Sequence, residues 1–134
     1  MAVPPSLGRR LVGVFWAPPA VFLFHHFAAR QFGHEPQVDS LSHFLGGAAM
    51  AHCLDRLPRL VPRILGQPAH ALRRLAVIGG ATIVALAWEL AELAADVFLG
   101  MRIQTSAANT LRDLALGLAG ATAVGLLWPD RETA

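Results

Sequence analysis

The chain has 134 residues, of which 54% are hydrophobic and only 15% are charged, and its mean hydropathy is +0.48. Soluble domains normally carry about 25% charged residues, so this composition excludes an ordinary soluble protein and predicts a membrane protein. The net charge of +2 comes from arginine without lysine, and the arginines are scattered between apolar stretches, which excludes a nucleic-acid-binding patch.

Four segments are predicted to be transmembrane helices, because crossing a bilayer core takes about 20 apolar helical residues. They cover residues 11–29, 38–54, 75–99 and 107–128. The first contains Pro18-Pro19, which predicts a kink because proline lacks the N–H that an inner helical turn requires. We expect one all-α domain over residues 1–134, since no segment outside the membrane is long enough to hold its own core.

The connection between the second and third helices, residues 55–74, is rich in proline and arginine. This composition predicts an irregular or surface-lying segment. Arginine is enriched in the cytoplasmic loops of membrane proteins, and only Arg30 and Arg102 lie in the other two connections. The long connection and both termini are therefore predicted to be cytoplasmic.

Three acids of the third helix, Glu89, Glu92 and Asp96, have the spacing i, i+3 and i+7. At 100° per residue they fall within about 60° of one another and share one face of the helix. Each ionised side chain near the bilayer centre costs roughly 2.5 to 3.5 kcal/mol. The acidic face is therefore predicted to point towards protein or water rather than lipid.

The predicted topology brings polar residues of other helices to the depth of these acids. They are Asp39 and His43 on the second helix, and Thr110 and Asp113 on the fourth. Each pair is one helical turn apart and lines one face. One of His25 and His26 on the first helix is a further candidate, whereas His52 is excluded because it is turned about 180° from His43.

This group of polar residues has three interpretations, which the sequence leaves open. In the first, one imidazole and three carboxylates bind zinc, manganese or iron; these ligands are His43, Glu89, Glu92 and Asp113. In the second, the same four residues and Asp39 are catalytic and transfer protons without a metal. In the third, the acids are protonated or paired with Arg102 and Arg112, and they only fix the helix register.

The arginines at the outer side have two interpretations of their own. Arg30, Arg102 and Arg112 either bind a phosphate or another anionic head group, whose oxygens match the guanidinium, or they anchor the helices at the interface. On the first interpretation, the predicted binding residues are Arg102, Arg112, Thr110 and Asp96.

Small residues recur at helix-packing spacing on two helices. They are Gly47 and Ala51 on the second helix, and Gly117, Ala121 and Gly125 on the fourth. Rows of this kind let two helix backbones approach closely in lipid. We therefore expect close packing of helix backbones within the bundle.

The order and spacing of these residues resemble those of a known family. The pattern is Asp39-x-x-x-His43-Phe44-x-x-Gly47, then Trp88-Glu89-Leu90-x-Glu92, then Thr110-x-x-Asp113 followed by Gly117 and Gly120-Ala121. Over residues 38–125 it is similar to the small bacterial inner-membrane proteins of the YjdF-like group and, more distantly, to VanZ-like proteins. The chain differs from the YjdF-like pattern at residues 101–106 and at Asn109, where an acid is expected. The resemblance implies a bacterial inner-membrane location and supports the site more than any reaction.

Two functions of different classes follow. The first is binding or processing of a lipid-linked or anionic envelope molecule in an outward-facing pocket, with a divalent metal as the candidate cofactor; whether this is an enzyme is left open. The second is a non-catalytic accessory subunit of a larger membrane complex, which contacts its partners through glycine- and alanine-rich helix faces. The expected partners are membrane lipids and, in the second case, other membrane-protein subunits, but not nucleic acid.

Overall fold

The computed structural model describes residues 6–33, 35–60 and 69–127, and all regular secondary structure in these ranges is helical. Its five helices are α1 (Leu7–Phe15), α2 (Ala17–Phe32), α3 (Pro36–Leu60), α4 (His70–Leu99) and α5 (Ala107–Leu127). α3 packs against each of the other four helices, and most extensively against α5. The helix that carries Asp39 and His43 therefore lies at the centre of the bundle.

Large apolar side chains cover the outside of the bundle, while small residues fill its interior. Phe98 is 82% exposed and Leu127 is 80% exposed, whereas Ala51 and Ala121 are fully buried. In soluble proteins the large aliphatic and aromatic side chains are the ones most often buried. The distribution seen here suits a bundle surrounded by lipid, in which small residues allow helices to pack and large ones face the acyl chains.

Within the described ranges, α4 and α5 are long and apolar enough to cross a membrane, and the bent pair of α1 and α2 would be a third span if it crosses as one unit. α3 does not join this set, because polar side chains such as Asp39, His43 and Asp55 interrupt its apolar sequence. The structure thus supports an all-helical membrane protein with two to three candidate spans. The fourth span and the cytoplasmic termini stay predictions.

Several helix boundaries differ from the predicted ones. The first predicted helix is two helices, α1 and α2, with a bend of 48° between them, and the break falls at Trp16, just before the two prolines. α3 continues to Leu60 and α4 begins at His70, so both ends of the connection predicted to be irregular are helical. The predicted bounds follow the apolar segments, whereas the helices continue into the polar sequence on either side of the connection. Residues 61–68 and Trp128, the last residue predicted for the fourth helix, lie outside the described residues.

Polar side chains sustain these helical extensions beyond the apolar segments. The guanidinium of Arg73 on α4 donates from Nη2 to the Asp55 carboxylate of α3 over 2.7 Å. Both side chains are largely shielded from solvent, which strengthens the ion pair relative to an exposed one. The residues that made the connection look irregular in sequence therefore join two helices at one end of the bundle.

The break between α1 and α2 leaves backbone carbonyls that side chains of α3 satisfy. Pro18 has no N–H with which to bond the carbonyl of Val14, four residues earlier. Instead the buried Cys53 thiol donates to the Val14 oxygen over 3.0 Å, and Arg56 Nη1 donates to the Gly13 oxygen over 3.1 Å. α3 thereby stabilises the bend that the prolines introduce.

Replacement of Cys53 tests this bond. We expect Cys53→Ala to lower the free energy of unfolding by about 1 to 2 kcal/mol, because the buried Val14 carbonyl would lose its donor. Cys53→Ser keeps a donor of similar size and should cost less. Both values can be measured by titrating purified protein in mild detergent with a denaturing detergent and following the helical circular dichroism. Equal losses for the two variants would show that only side-chain volume matters at this position.

Glycines bring the backbones of α3 and α5 into direct contact. A Cβ added at Gly47 would collide with the carbonyl of Gly117, and a Cβ added at Gly120 would collide with the carbonyl of Phe44. Neither collision can be relieved by rotating a side chain, because the atoms met are backbone atoms. The small residues noted in the sequence thus lie where two backbones meet, and the structure adds that the two helices concerned are α3 and α5.

Candidate functional site

The glycine contact fixes the place of the candidate site. His43 lies four residues before Gly47 on α3, and Asp113 lies four residues before Gly117 on α5. Four residues are about one helical turn, so the packing of the two glycines brings His43 and Asp113 to the same layer of the bundle. Glu89 reaches this layer from α4. We call the following residues the polar cluster: Asp39, His43, Glu89, Arg112 and Asp113.

The imidazole of His43 lies at the centre of the polar cluster, between three carboxylates. Its Nε2 is 3.5 Å from Asp39 Oδ1 and 3.9 Å from Asp113 Oδ2, while its Nδ1 is 3.5 Å from Glu89 Oε1. The two ring nitrogens therefore face different acids. Asp39, His43 and Asp113 each offer one ligand atom, and these three atoms lie within 4.8 Å of one another.

Arg112 bridges the two aspartates from the side away from His43. Its Nη2 donates to Asp39 Oδ2 and its Nε donates to Asp113 Oδ1, both over 3.2 Å. Each aspartate thus presents one oxygen to the guanidinium and the other to the imidazole. Nη2 also donates to Asn109 Oδ1 over 2.7 Å, and Asn109 Nδ2 donates to Asp113 Oδ2 over 2.5 Å.

The polar cluster is closed at one side and open at the other. The side chains of Asp113 and Glu89 are only 2% and 4% exposed, whereas those of Asp39 and Arg112 are 34% and 39% exposed. A molecule entering from outside the bundle would therefore meet Asp39 and Arg112 first. Three carboxylates face a single guanidinium here, so protons or a bound cation must supply further positive charge, because unpaired buried charge is costly.

A second network connects the polar cluster to the loop between α4 and α5. Gln104 donates from Nε2 to the Glu89 backbone carbonyl over 2.8 Å and to Glu89 Oε2 over 3.3 Å. Asp96 accepts the backbone N–H groups of Ile103 and Gln104 over 2.7 and 2.9 Å. The loop is thus tied to α4 at two points.

Four of the predicted catalytic residues lie together: Asp39, His43, Glu89 and Asp113. The fifth, Glu92, makes no described hydrogen bond or ion pair with these four, and its Oε1 accepts the Trp88 Nε1–H over 2.6 Å. It is still near enough to interact electrostatically with His43, Asp39 and Asp113. Trp88 is exposed, whereas Glu92 is half-buried. Of the four predicted metal ligands, His43 and Asp113 belong to the group that could hold an ion, and Asp39 completes it.

The four predicted binding residues also separate. Arg112 lies within the polar cluster, as described above, and Asp96 anchors the loop instead. Thr110 donates from Oγ1 to the Ser106 carbonyl over 3.5 Å at the start of its own helix, and Arg102 is exposed in the loop. Thr110 and Arg102 therefore make no described contact with the cluster.

The hydrogen bonds described for the histidines of the first predicted helix go to residues outside the polar cluster. His25 Nδ1 lies 3.0 Å from Ser42 Oγ on α3, and His26 Nδ1 lies 3.2 Å from the Phe22 carbonyl of its own helix. His52 packs edge-on against Trp16, with ring centroids 5.7 Å apart. The exclusion of His52 from the cluster stays a prediction.

Gln104 and Asn109 belong to the networks but were absent from the predicted site. The spacing i, i+4 between Asn109 and Asp113 is a helical pairing signal that could have pointed to Asn109. Gln104 lies in an irregular loop, where no periodicity relates sequence position to direction, so no comparable signal exists for it.

A comparison with known protein families gives a match over most of the chain. A family model described as "Predicted membrane protein (DUF2238)" matches residues 13–131, which include every helix from α2 onwards and all residues of the polar cluster. No curated protein and no solved structure matches the chain.

Proposed function

The chain belongs to the DUF2238 family of predicted membrane proteins, and on this premise we propose that it is a multi-pass protein of the bacterial inner membrane whose polar cluster binds a divalent metal ion. Membership supports the resemblance to the YjdF-like group, while the VanZ-like resemblance has no such support. In this proposal the whole chain is one domain with four spans. The first span is the bent pair of α1 and α2, and α3 is the second.

The position of α3 supports its assignment as a span despite its polar sequence. The other four helices pack around it, so its polar residues face protein rather than lipid, as intramembrane ionisable residues do. The excess of arginine in the long connection supports cytoplasmic termini. With that orientation the polar cluster, at the start of α3 and α5, faces the outer side of the membrane.

The observation that carries the metal proposal is the convergence of three ligand atoms of His43, Asp39 and Asp113 within 4.8 Å. Zinc binds imidazole nitrogen and carboxylate oxygen at about 2.0 to 2.2 Å, so small side-chain movements would enclose an ion between these atoms. One imidazole with two carboxylates also suits manganese or iron. Three protein ligands leave a coordination position for water or substrate, as in catalytic zinc sites.

Charge balance supports the same proposal. Arg112 offsets one of the three carboxylates, and a divalent cation would offset the other two. Glu89 faces Nδ1 of His43, the ring nitrogen on the other side from the proposed metal, so in this proposal it orients the imidazole instead of binding the ion.

The proposed substrate is an anionic, lipid-linked envelope molecule that approaches from the open side of the cluster. Arg112 lies at that side, and among the described residues no group bonds its Nη1. The N–H groups of Nη1 can therefore bind phosphate or carboxylate oxygens, for which guanidinium geometry is well matched. A metal ion behind Arg112 would polarise the same anionic group.

Proton transfer without a metal is the second candidate function. It is favoured by the carboxylates on both sides of the imidazole, since Asp39 and Glu89 each lie 3.5 Å from a different ring nitrogen of His43. A histidine in this position can accept a proton on one side and donate one on the other.

A metal titration tests the proposal. Protein purified in mild detergent and stripped with a chelator is expected to bind one Zn²⁺ or Mn²⁺ per chain. Asp39→Asn should weaken binding by more than the roughly 10-fold to 100-fold that loss of an outer hydrogen-bond partner costs. Glu35→Gln removes a carboxylate just before α3, outside the cluster, and should leave the affinity unchanged.

Two results in which the purified protein binds no metal would favour other functions. If the wild type binds no metal, and the Asp39→Asn variant processes the envelope molecule more slowly than the wild type, proton transfer would be favoured. Metal-free protein that copurifies at fixed stoichiometry with other membrane chains would favour the non-catalytic accessory subunit.

A further inference from the structure

The loop between α4 and α5 folds back towards the polar cluster. α4 ends at Leu99, and Gly100 reverses the chain with φ +66°, a conformation that favours glycine. Asp96, one turn before the end of α4, then accepts the N–H groups of Ile103 and Gln104 with its two oxygens. The loop is therefore held in one position by a carboxylate of the preceding helix.

In this loop position the side chain of Gln104 can bond Glu89. Its Nε2 donates to both the backbone carbonyl and Oε2 of Glu89. The last torsion of a glutamate side chain is soft and broadly distributed. A donor that binds Oε2 therefore fixes the rotation of the carboxylate and the direction of Oε1, which lies 3.5 Å from His43 Nδ1.

The direction of Oε1 matters because a neutral imidazole carries its proton on only one nitrogen. Which nitrogen that is depends on the partner of the other one. Metal-binding histidines almost always donate the second ring N–H to a carboxylate, a carbonyl or water. Nε2 also faces carboxylates, Asp39 at 3.5 Å and Asp113 at 3.9 Å. Both of these accept hydrogen bonds from Arg112, whereas Glu89 has no arginine partner among the described residues. Glu89 is therefore the stronger acceptor for a single ring proton, and with that proton on Nδ1 the lone pair of Nε2 is left for a cation.

We propose that Gln104 is a positioning residue, which through Glu89 holds His43 as the Nδ1–H tautomer and keeps Nε2 available as a metal ligand. Asp96 contributes by fixing the loop that carries Gln104. The metal part of this inference rests on the proposed function, whereas the tautomer part stands on the geometry of the metal-free protein.

Nitrogen NMR of the metal-free protein tests the tautomer directly. The chain is labelled with ¹⁵N-histidine, placed in lipid nanodiscs and measured over a series of alkaline pH values, so that the signals of the neutral imidazole are identified directly. The His43 signals are those missing from the spectrum of His43→Gln. In the wild type, His43 is expected to show a protonated Nδ1 and an unprotonated Nε2.

Gln104→Met keeps the length of the side chain and removes its donor. It is expected to give His43 a mixture of both tautomers and to weaken Mn²⁺ binding roughly 10-fold, the lower end for an outer-shell partner. Asp96→Asn, which loses one acceptor for the loop N–H groups, should change the His43 signals in the same direction. Thr105→Ala, an exposed position in the same loop, is the matched control and should change neither measurement.

The outcomes separate the two proposals. A wild-type His43 protonated mainly at Nε2, or an unchanged tautomer in Gln104→Met, would overturn the positioning role even if metal binds. A tautomer change in Gln104→Met with no metal bound by the wild type would support the positioning role and contradict the metal site. If Gln104→Met does not fold, Asp96→Asn decides the question by the same signals.

Discussion

Gly47→Ala is expected to lower the free energy of unfolding by about 3 kcal/mol, the top of the usual range for overpacked cores. The added methyl group would collide with the backbone of Gly117, so relief requires α3 and α5 to move apart. Because His43 and Asp113 lie one turn from this contact, their separation should also increase. We therefore expect the same variant to lose metal affinity.

The matched control is the neighbouring residue. A Cβ at Gly46 would meet no atom within 4 Å, and alanine is the better helix former by about 1 kcal/mol. Gly46→Ala should therefore be neutral or slightly stabilising in the same denaturing-detergent titration. A Gly47→Ala protein as stable as Gly46→Ala would mean that the backbones of α3 and α5 do not touch.

Arg112→Met is expected to cost about 3 kcal/mol in the absence of metal. Loss of one partner from a buried charge pair costs about 3 to 5 kcal/mol, and the lower end applies because Arg112 is 39% exposed. Methionine preserves much of the side-chain volume, so the loss measures charge and hydrogen bonding. The midpoint of unfolding in the denaturing-detergent titration gives the change.

Addition of metal distinguishes charge compensation from other effects of Arg112→Met. A ligand at 100 times its dissociation constant stabilises a protein by about 2.7 kcal/mol. Without Arg112, Asp39 and Asp113 should attract a cation more strongly than they do when the guanidinium is bound to both. Saturating Mn²⁺ is therefore expected to stabilise Arg112→Met more than the wild type. Arg102→Met, in the exposed loop, should show neither the loss nor the larger gain. Equal stabilisation of Arg112→Met and the wild type would contradict a cation site between the aspartates.

The core of the polar cluster could be predicted from helical geometry. Asp39 and His43 are one turn apart, as the i, i+4 rule requires for a shared face, and Asp113 enters the same layer because α3 and α5 pack through glycines that were visible in the sequence. The depth of Glu89 followed from the order of the helices. Arg112 was placed at the rim, yet its long side chain reaches inwards between two aspartates.

Glu92 and Asp96 show the limit of the same reasoning. They share a helical face with Glu89, but residues on one face lie at different heights along the helix, since each residue rises 1.5 Å along the axis. Asp96 is therefore about 10 Å from Glu89 along α4, at the height of the loop that it binds. Glu92 is nearer but rotated by about 60°, enough for it to bond the exposed Trp88 instead.

Helix ends were harder to predict than helix faces, for two physical reasons. The break of the first predicted helix precedes Pro18, because a proline removes a bond to the carbonyl four residues before it. At the ends of α3 and α4, ion pairing between Arg73 and Asp55 extends the helices past their apolar segments, which no hydropathy pattern reveals.

The enclosure of α3 by the other four helices has a consequence for biosynthesis. The ribosome makes α3 before α4 and α5, so the helix with the most interrupted apolar sequence emerges before two of the helices that shield it. Its transfer into lipid alone is disfavoured by Asp39, His43 and Asp55. In the proposed four-span topology, α3 therefore obtains its partners Arg112 and Asp113, and the contact between Gly47 and Gly117, only after α5 has been made.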